Sequence, residues 1–300
     1  MPGSMALICM RCARSPMMPR SPLTMGRRSE VSNRASSCFQ WPIGGQCRNF
    51  PRSGQLTLAD SDSSDRLFAG ETSPAGGFVF DDAVAAVFPD MIKRSVPGYA
   101  AIIQMIQLMA ERYARPGSAL LDLGCSLGAS TVALAAGSAG RNCKVMGVDN
   151  APAMLSRARS MLSSRYPQIE WLCADVRQVA IEGASVVVSN FTLQFLPPGD
   201  RLALLERVHA GLTEGGILIL SEKIAGADES ADRLLTEMHH AFKSANGYSD
   251  LEISRKRNAL ENVLIPEPLC IHQERLRKAG FARIDLWFQC FNFVSLVARR

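Results

Sequence analysis

The sequence predicts an α/β fold, a mostly parallel sheet with helices on both faces and a C-terminal antiparallel strand. Three observations predict it. From residue 119 onward, short apolar runs alternate with helix-length amphipathic segments, the pattern of repeated strand–helix–strand units. Residues 184–189 form an unbroken, β-branched run, Ala-Ser-Val-Val-Val-Ser, as expected of a parallel strand buried on both faces. Residues 120–128 read Leu-Leu-Asp-Leu-Gly-Cys-Ser-Leu-Gly, a buried strand running through a glycine turn into a helix. At 300 residues and 47% hydrophobic, the chain suits one such domain plus extensions.

Residues 1–60 differ from the rest. They are rich in Ser, Arg, Pro and Met, contain no lysine and show no period, a composition that predicts disorder. We expect a domain boundary at 64/65. Residues 1–64 form an Arg/Ser/Pro-rich extension, which we ascribe to a misassigned start site. Residues 65–300 form the folded domain. The first 60 residues hold eight arginines and two acids, a balance of +6 against +5 for the whole chain. The remaining 240 residues therefore carry −1. That near-neutrality argues against a dedicated nucleic-acid surface, which needs clustered cations. No apolar run approaches the ~18 residues of a membrane span. Nine cysteines, an odd number without framework spacing, fit a reducing cytoplasm. The four histidines and the cysteines offer no metal-ligand spacing, so no metal is expected.

Residues 80–95 predict a helix with Val84, Val87, Phe88, Met91 and Ile92 on its apolar side. Pro97-Gly98 ends it, and residues 99–113 predict a second. Both precede the first strand, so they can cap a cleft at the strand ends. The helix after Gly128 runs from Ala129. A second strand, 144–148, leads to Asp149-Asn150, and Pro152 suits the first turn of the next helix. An acid about 20 residues past a glycine loop is placed to accept from a ribose diol. A third strand, 170–173, ends at Asp175-Val176. The fourth ends at Asn190, and a fifth spans 216–220. The carboxyl ends of parallel strands are where such folds bind ligands, and Gly124, Asp149, Asp175 and Asn190 all fall there.

A helical insertion is expected over about 225–265. Its parts are helices 229–245 and 250–262, the second capped by Ser249. Arg255-Lys256-Arg257 reads either as a solvated face or as a grip on an acidic substrate, because arginine offers a forked donor to carboxylate. Residues 266–280 predict a helix with a glycine C-cap, and 284–289 and 291–298 a closing pair of strands.

The glycine turn itself has three readings. It lacks the third glycine of a dinucleotide loop and the lysine of a phosphate loop. The pattern Asp122-x-Gly124-x-x-x-Gly128 resembles motif I of class I methyltransferases, which bind S-adenosylmethionine (SAM). Further runs resemble one family more specifically, carboxy-S-adenosyl-L-methionine synthase. They include Val87-Phe-Pro-Asp-Met-Ile92, Arg94-Ser-Val-Pro-Gly-Tyr99, Asn190-Phe-Thr-Leu-Gln-Phe195, Leu220-Ser-Glu-Lys223 and Leu286-Trp-Phe-Gln-Cys-Phe-Asn-Phe293.

The resemblance covers about residues 65–299. It implies a Rossmann-like class I methyltransferase fold and conversion of SAM and prephenate to carboxy-S-adenosylmethionine, phenylpyruvate and water. Prephenate would shed carbon dioxide as its ring aromatises. The expelled hydroxide would deprotonate the sulfonium methyl, and the resulting ylide would capture the carbon dioxide. Such chemistry needs contact between two ligands and exclusion of water more than a general base. The product would serve a separate tRNA carboxymethyltransferase acting on wobble uridine. By the same resemblance Tyr99, Gly124, Cys125, Ser126, Asp149, Asn150, Asp175, Val176 and Asn190 contact the cofactor. Arg257 is the expected catalytic residue, pairing with the transferred carboxylate from its own or a neighbouring subunit of a homodimer. Arg255 and Lys256 are expected to be its solvated neighbours. Two other readings stand beside this one: an ordinary methyltransferase, whose acceptor loop we do not identify, and a non-catalytic SAM-binding protein.

Overall fold

The computed structural model describes residues 64–69, 78–260 and 263–300; the expectations for residues 1–60 and for 261–262 lie outside them. Two helices come first, α1 (Asp82–Ser95) and α2 (Tyr99–Tyr113). Then β1 (Ala119–Leu123), α3 (Ala129–Gly137), β2 (Lys144–Asp149), α4 (Pro152–Leu162) and β3 (Ile169–Cys173) follow. The second half comprises β4 (Ala184–Asn190), α5 (Arg201–Gly211), β5 (Leu212–Ala225), α6 (Glu229–Ala245) and α7 (Asp250–Leu260). It ends with β6 (Glu267–Pro268), α8 (Leu269–Lys278), β7 (Arg283–Cys290) and β8 (Phe293–Arg299).

The sheet order is β3-β2-β1-β4-β5-β8-β7, with β6 paired to the end of β5. Strands β1 to β5 are parallel, and β8 runs antiparallel to both β5 and β7. Side chains on a strand alternate between faces, and the buried residues divide that way. Leu121, Val187, Leu218 and Leu220 pack with α5 and α8 residues such as Leu205 and Leu276. Leu120, Val186, Val188, Ile217 and Ile219 pack with α2 and α3 residues such as Ile106 and Val132. At roughly 1.5–3 kcal/mol per fully buried aliphatic side chain, these two cores hold the strand ends in register. A third cluster joins Val84, Val87 and Met91 of α1 to Leu127 and Met154, seating α1 beside the glycine turn.

Boundaries shift where tertiary contacts extend or displace an element. Helix α1 starts at Asp82, because Asp81 caps it by accepting the N–H of Val84 at 2.9 Å. Strand β5 is longer than its apolar run, since β8 pairs it through Lys223. Residues 267–268 join β5 as β6, so α8 begins only at Leu269. The expected cap of α7 is present as a reciprocal box. Ser249 Oγ accepts from the N–H of Glu252 at 3.3 Å, and Glu252 Oε2 accepts from the N–H of Ser249 at 2.8 Å, the arrangement that satisfies two free helix-start donors.

Candidate active site

At the carboxyl ends of β1, β2 and β4 lies a cavity of about 280 Å³. Nine of the ten expected site residues line it: Tyr99, Gly124, Cys125, Ser126, Asp149, Asn150, Asp175, Val176 and Asn190. Arg257 does not. It is exposed on α7.

The turn after β1 is built by backbone geometry. Gly124 and Gly128 have φ of +80° and +85°, a region that costs other residues roughly 1–2 kcal/mol. Packing gives a second reason for glycine at both positions. A Cβ on Gly124 would collide with the Thr192 side chain, and one on Gly128 would collide with the Trp171 ring. Protein packing therefore excludes larger residues at both positions. Ser126, with φ +48°, and Phe191, with φ +62°, are non-glycine residues in the same strained region, and both line the cavity. Such outliers persist where surrounding structure enforces them, often at functional sites.

Asp149 ends β2 and ties the turn together. Its Oδ2 accepts from the N–H of Ser126 at 2.8 Å and its Oδ1 from that of Ala151 at 2.9 Å. Burial raises its pKa, while backbone N–H groups of Ala151, Ser126 and Asn150 oppose the rise. Asp122, fully buried beneath it, receives the Thr131 hydroxyl at 2.6 Å. Burial foremost pushes the Asp122 carboxyl up to about 7. Cys125 is unsuited to nucleophilic work, because burial and then the charges of Asp122 and Asp149 raise its thiol pKa further. Its N–H is donated to Val148 O at 2.9 Å. Asp175 is held below the usual carboxylate range by Arg177, which it meets at 2.6 Å. Asn190 donates from Nδ2 to Ser130 Oγ at 3.1 Å. Its Oδ1 is buried without a partner, an acceptor ready for a ligand donor.

The far side of the cavity was not legible as a site in the sequence. Phe80 meets Phe195 edge-on at 5.5 Å, and Phe191 meets Phe293 at 5.8 Å; all four line the cavity, with Lys223, Lys243 and Lys256 from β5, α6 and α7. Lys256 corrects an expectation. It is 4% exposed rather than solvated, because Nζ sits 3.4 Å from Asp65 Oδ2 and donates to Ser95 Oγ at 3.0 Å. Tyr248 OH donates to the same Asp65 carboxylate. Arg94 lies 3.9 Å above the Tyr248 ring and bonds Asp90, the Asp65 carbonyl and the Asn246 carbonyl. Arg255 is likewise not free in solvent: it donates to Phe68 O at 3.2 Å. Behind the loop after β4, buried Glu222 accepts from the N–H groups of Leu193 and Gln194 at 3.0 and 2.9 Å, and buried Arg201 pairs with Glu267. These contacts fix Gln194 and Phe195 at the cavity wall.

Among the described residues no cluster of three His, Cys, Asp or Glu side chains could hold a metal, and no helix is long and apolar enough to cross a membrane. A profile of the methyltransferase domain matches residues 120–216. The structure is similar to human N-acetylserotonin methyltransferase solved with SAM, at TM-score 0.51 and 17% identity over 73% of this chain and 55% of that one. A putative O-methyltransferase from Nostoc punctiforme aligns at TM-score 0.52 and 16% identity, over 73% of this chain and 59% of the other. The fold is thus that of the class I SAM-dependent methyltransferases. The sequence goes further. It is 57% identical over 238 residues to the carboxy-S-adenosyl-L-methionine synthase of Trichlorobacter lovleyi, an alignment covering 78% of this chain and 98% of that protein. It is 52% identical over 236 residues, with the same coverages, to the synthase of Aliivibrio fischeri. The chain belongs to the carboxy-S-adenosyl-L-methionine synthase family.

Proposed function

We propose that the protein converts SAM and prephenate to carboxy-S-adenosyl-L-methionine, phenylpyruvate and water. Its product would feed a separate tRNA carboxymethyltransferase acting on wobble uridine. The observation that carries this reading is that one cavity is lined both by nucleoside-side residues and by an aromatic wall. The turn after β1, Asp149 and Asn190 line it together with Phe80, Phe195 and Phe293 and with residues of α1 and α6. An ordinary methyltransferase needs a route for an acceptor, whereas carboxyl transfer needs two small ligands in contact and away from water.

The residues fit a bound SAM. Asp149 retains acceptor capacity for a ribose diol, the orphaned Asn190 Oδ1 accepts a donor, and Asp175 and Val176 flank the position expected for the adenine. When bound, SAM supplies an acidic sulfonium methyl. The chain's part is to orient that methyl toward the aromatic wall and to exclude solvent. No side chain of the aromatic wall is required as a base.

The reading includes a cytoplasmic homodimer. Arg257 is exposed and does not line its own cavity, and Leu234 of α6 and Leu251 of α7 are exposed, at 58% and 55%. We therefore assign the contact between Arg257 and the transferred carboxylate to the neighbouring subunit. Mixed dimers of Asp149→Ala and Arg257→Ala should regain activity that neither variant shows alone. The central test is incubation of the purified protein with SAM and prephenate. Phenylpyruvate and a nucleoside heavier than SAM by one carbon dioxide should appear in equal amounts. S-adenosylhomocysteine as the product would return the protein to the ordinary methyltransferases.

A further inference from the structure

Three lysines, Lys223, Lys243 and Lys256, line one cavity from three elements. Lys256 donates to Ser95 Oγ, and His239 Nε2 lies 2.8 Å from Ser95 O, so α6 and α7 both close on the last residue of α1. Lys243 lies one turn beyond His239 on the same face of α6. Lys223 lines the same cavity from the extended end of β5. Among the described residues Asp65 pairs with Lys256, while Lys223 and Lys243 make no ion pair. Burial pushes His239 down to about 2, so it adds no charge at neutral pH. Asp232 partly offsets Lys223, so the cation left without a facing carboxylate is Lys243, which is only 7% exposed. Burial, then the charges of Lys256 and Lys223, lower Lys243 to about 7. A buried cation without a counter-charge is costly, and a bound anion removes that cost. His239 also meets Phe293 edge-on at 4.9 Å, which puts the cationic end against the aromatic wall.

We propose that Lys223 and Lys243, with Lys256 behind them, form an anion site for the carboxylates of the second substrate, a cyclic dicarboxylic acid whose ring packs against Phe80, Phe195 and Phe293. The proposal rests on the prephenate reading and supplies the side chains that would hold that substrate. Asp65 leaves Lys256 largely neutralised, so Lys223 and Lys243 provide the selectivity for a dianion.

The test uses Lys223→Met and Lys243→Met, which keep apolar bulk and remove charge. SAM-saturated protein is titrated calorimetrically with phenylmalonate, an unreactive aromatic dicarboxylate, and with benzoate. Wild type should bind phenylmalonate at least tenfold more tightly than benzoate, and each variant should lose at least tenfold of the phenylmalonate affinity. SAM affinity should stay within twofold, and KM for prephenate should rise at least tenfold with a smaller change in kcat. Unchanged phenylmalonate binding in both variants would overturn the proposal. An equal loss of SAM affinity would also overturn it, because the lysines would then serve the carboxylate of SAM. If wild type turns over no prephenate yet shows lysine-dependent phenylmalonate binding, the substrate reading fails and the anion site stands. Should either variant fold poorly, the wild-type thermal shift decides. A rise in Tm with phenylmalonate well above that with benzoate supports the site, and equal shifts overturn it.

Discussion

Asp65 and Lys256 should couple strongly in a double-mutant cycle. They lie 191 residues apart in the chain, and their side chains are 1% and 5% exposed. Removing one member of a buried ion pair costs about 3–5 kcal/mol, because the other charge is left uncompensated, whereas removing both is often close to neutral. Asp65→Ala would strand Lys256 and delete the acceptor of the Tyr248 hydroxyl, so its cost should fall in that range. Lys256→Met would leave Asp65 bonded to Tyr248 and should fall at the lower end. The double variant should then be less destabilised than the sum of the singles by about 2 kcal/mol or more. Urea unfolding followed by fluorescence reads this as a change in midpoint at constant m-value. Additivity within about 0.5 kcal/mol would show that the pair is not coupled. It would also show that α7 does not anchor residues 64–69.

Gly124→Ala should destabilise the fold by at least about 1–2 kcal/mol from its backbone conformation alone. Thr192→Ala in the same chain should relieve the collision with the new Cβ but not the backbone cost, and thermal unfolding of the single and double variants separates the two. Asp149→Asn keeps shape but replaces an acceptor with a donor facing Ser126 or Ala151; it should weaken SAM by about 1–3 kcal/mol, and calorimetric affinity within twofold of wild type would remove the ribose role. Lys243, near 7 when folded and about 10.4 when unfolded, binds more protons in the unfolded chain across that window. Stability should therefore rise with pH above about 7 through this group. Lys243→Met should flatten the rise, measured as the difference between wild-type and variant stability from pH 7 to 9; identical slopes would show that Lys243 is not buried as a cation.

The fold was legible because its strands carry their own signal. An unbroken apolar run such as Val186-Val187-Val188 or Ile217-Leu218-Ile219 is enough to mark a strand buried on both sides. In the structure Val187 and Leu218 point to one core, and Val186, Val188, Ile217 and Ile219 to the opposite one. Glycine turns and Pro152 marked the helix starts. What failed were boundaries set by distant partners. Pairing with β8 extends β5 beyond Leu220, and pairing with the end of β5 turns residues 267–268 into a strand. Neither partner is visible from local pattern.

The nucleoside half of the site was equally readable, since Asp149 and Asn190 sit at strand ends and topology alone gathers strand ends together. The other half depends on side chains of α1, β5, α6 and α7 meeting across the chain. Within the run Arg255-Lys256-Arg257, local sequence offers no way to tell which cation turns inward. The structure makes Lys256 the buried one, because Ile253 and Lys256, three residues apart, share the inward face of α7. A charge can occupy that face because Asp65, at the other end of the folded domain's sequence, is buried against it. The identity of the inward lysine is therefore written in residue 65 as much as in residue 256, and a local reading sees only one of the two.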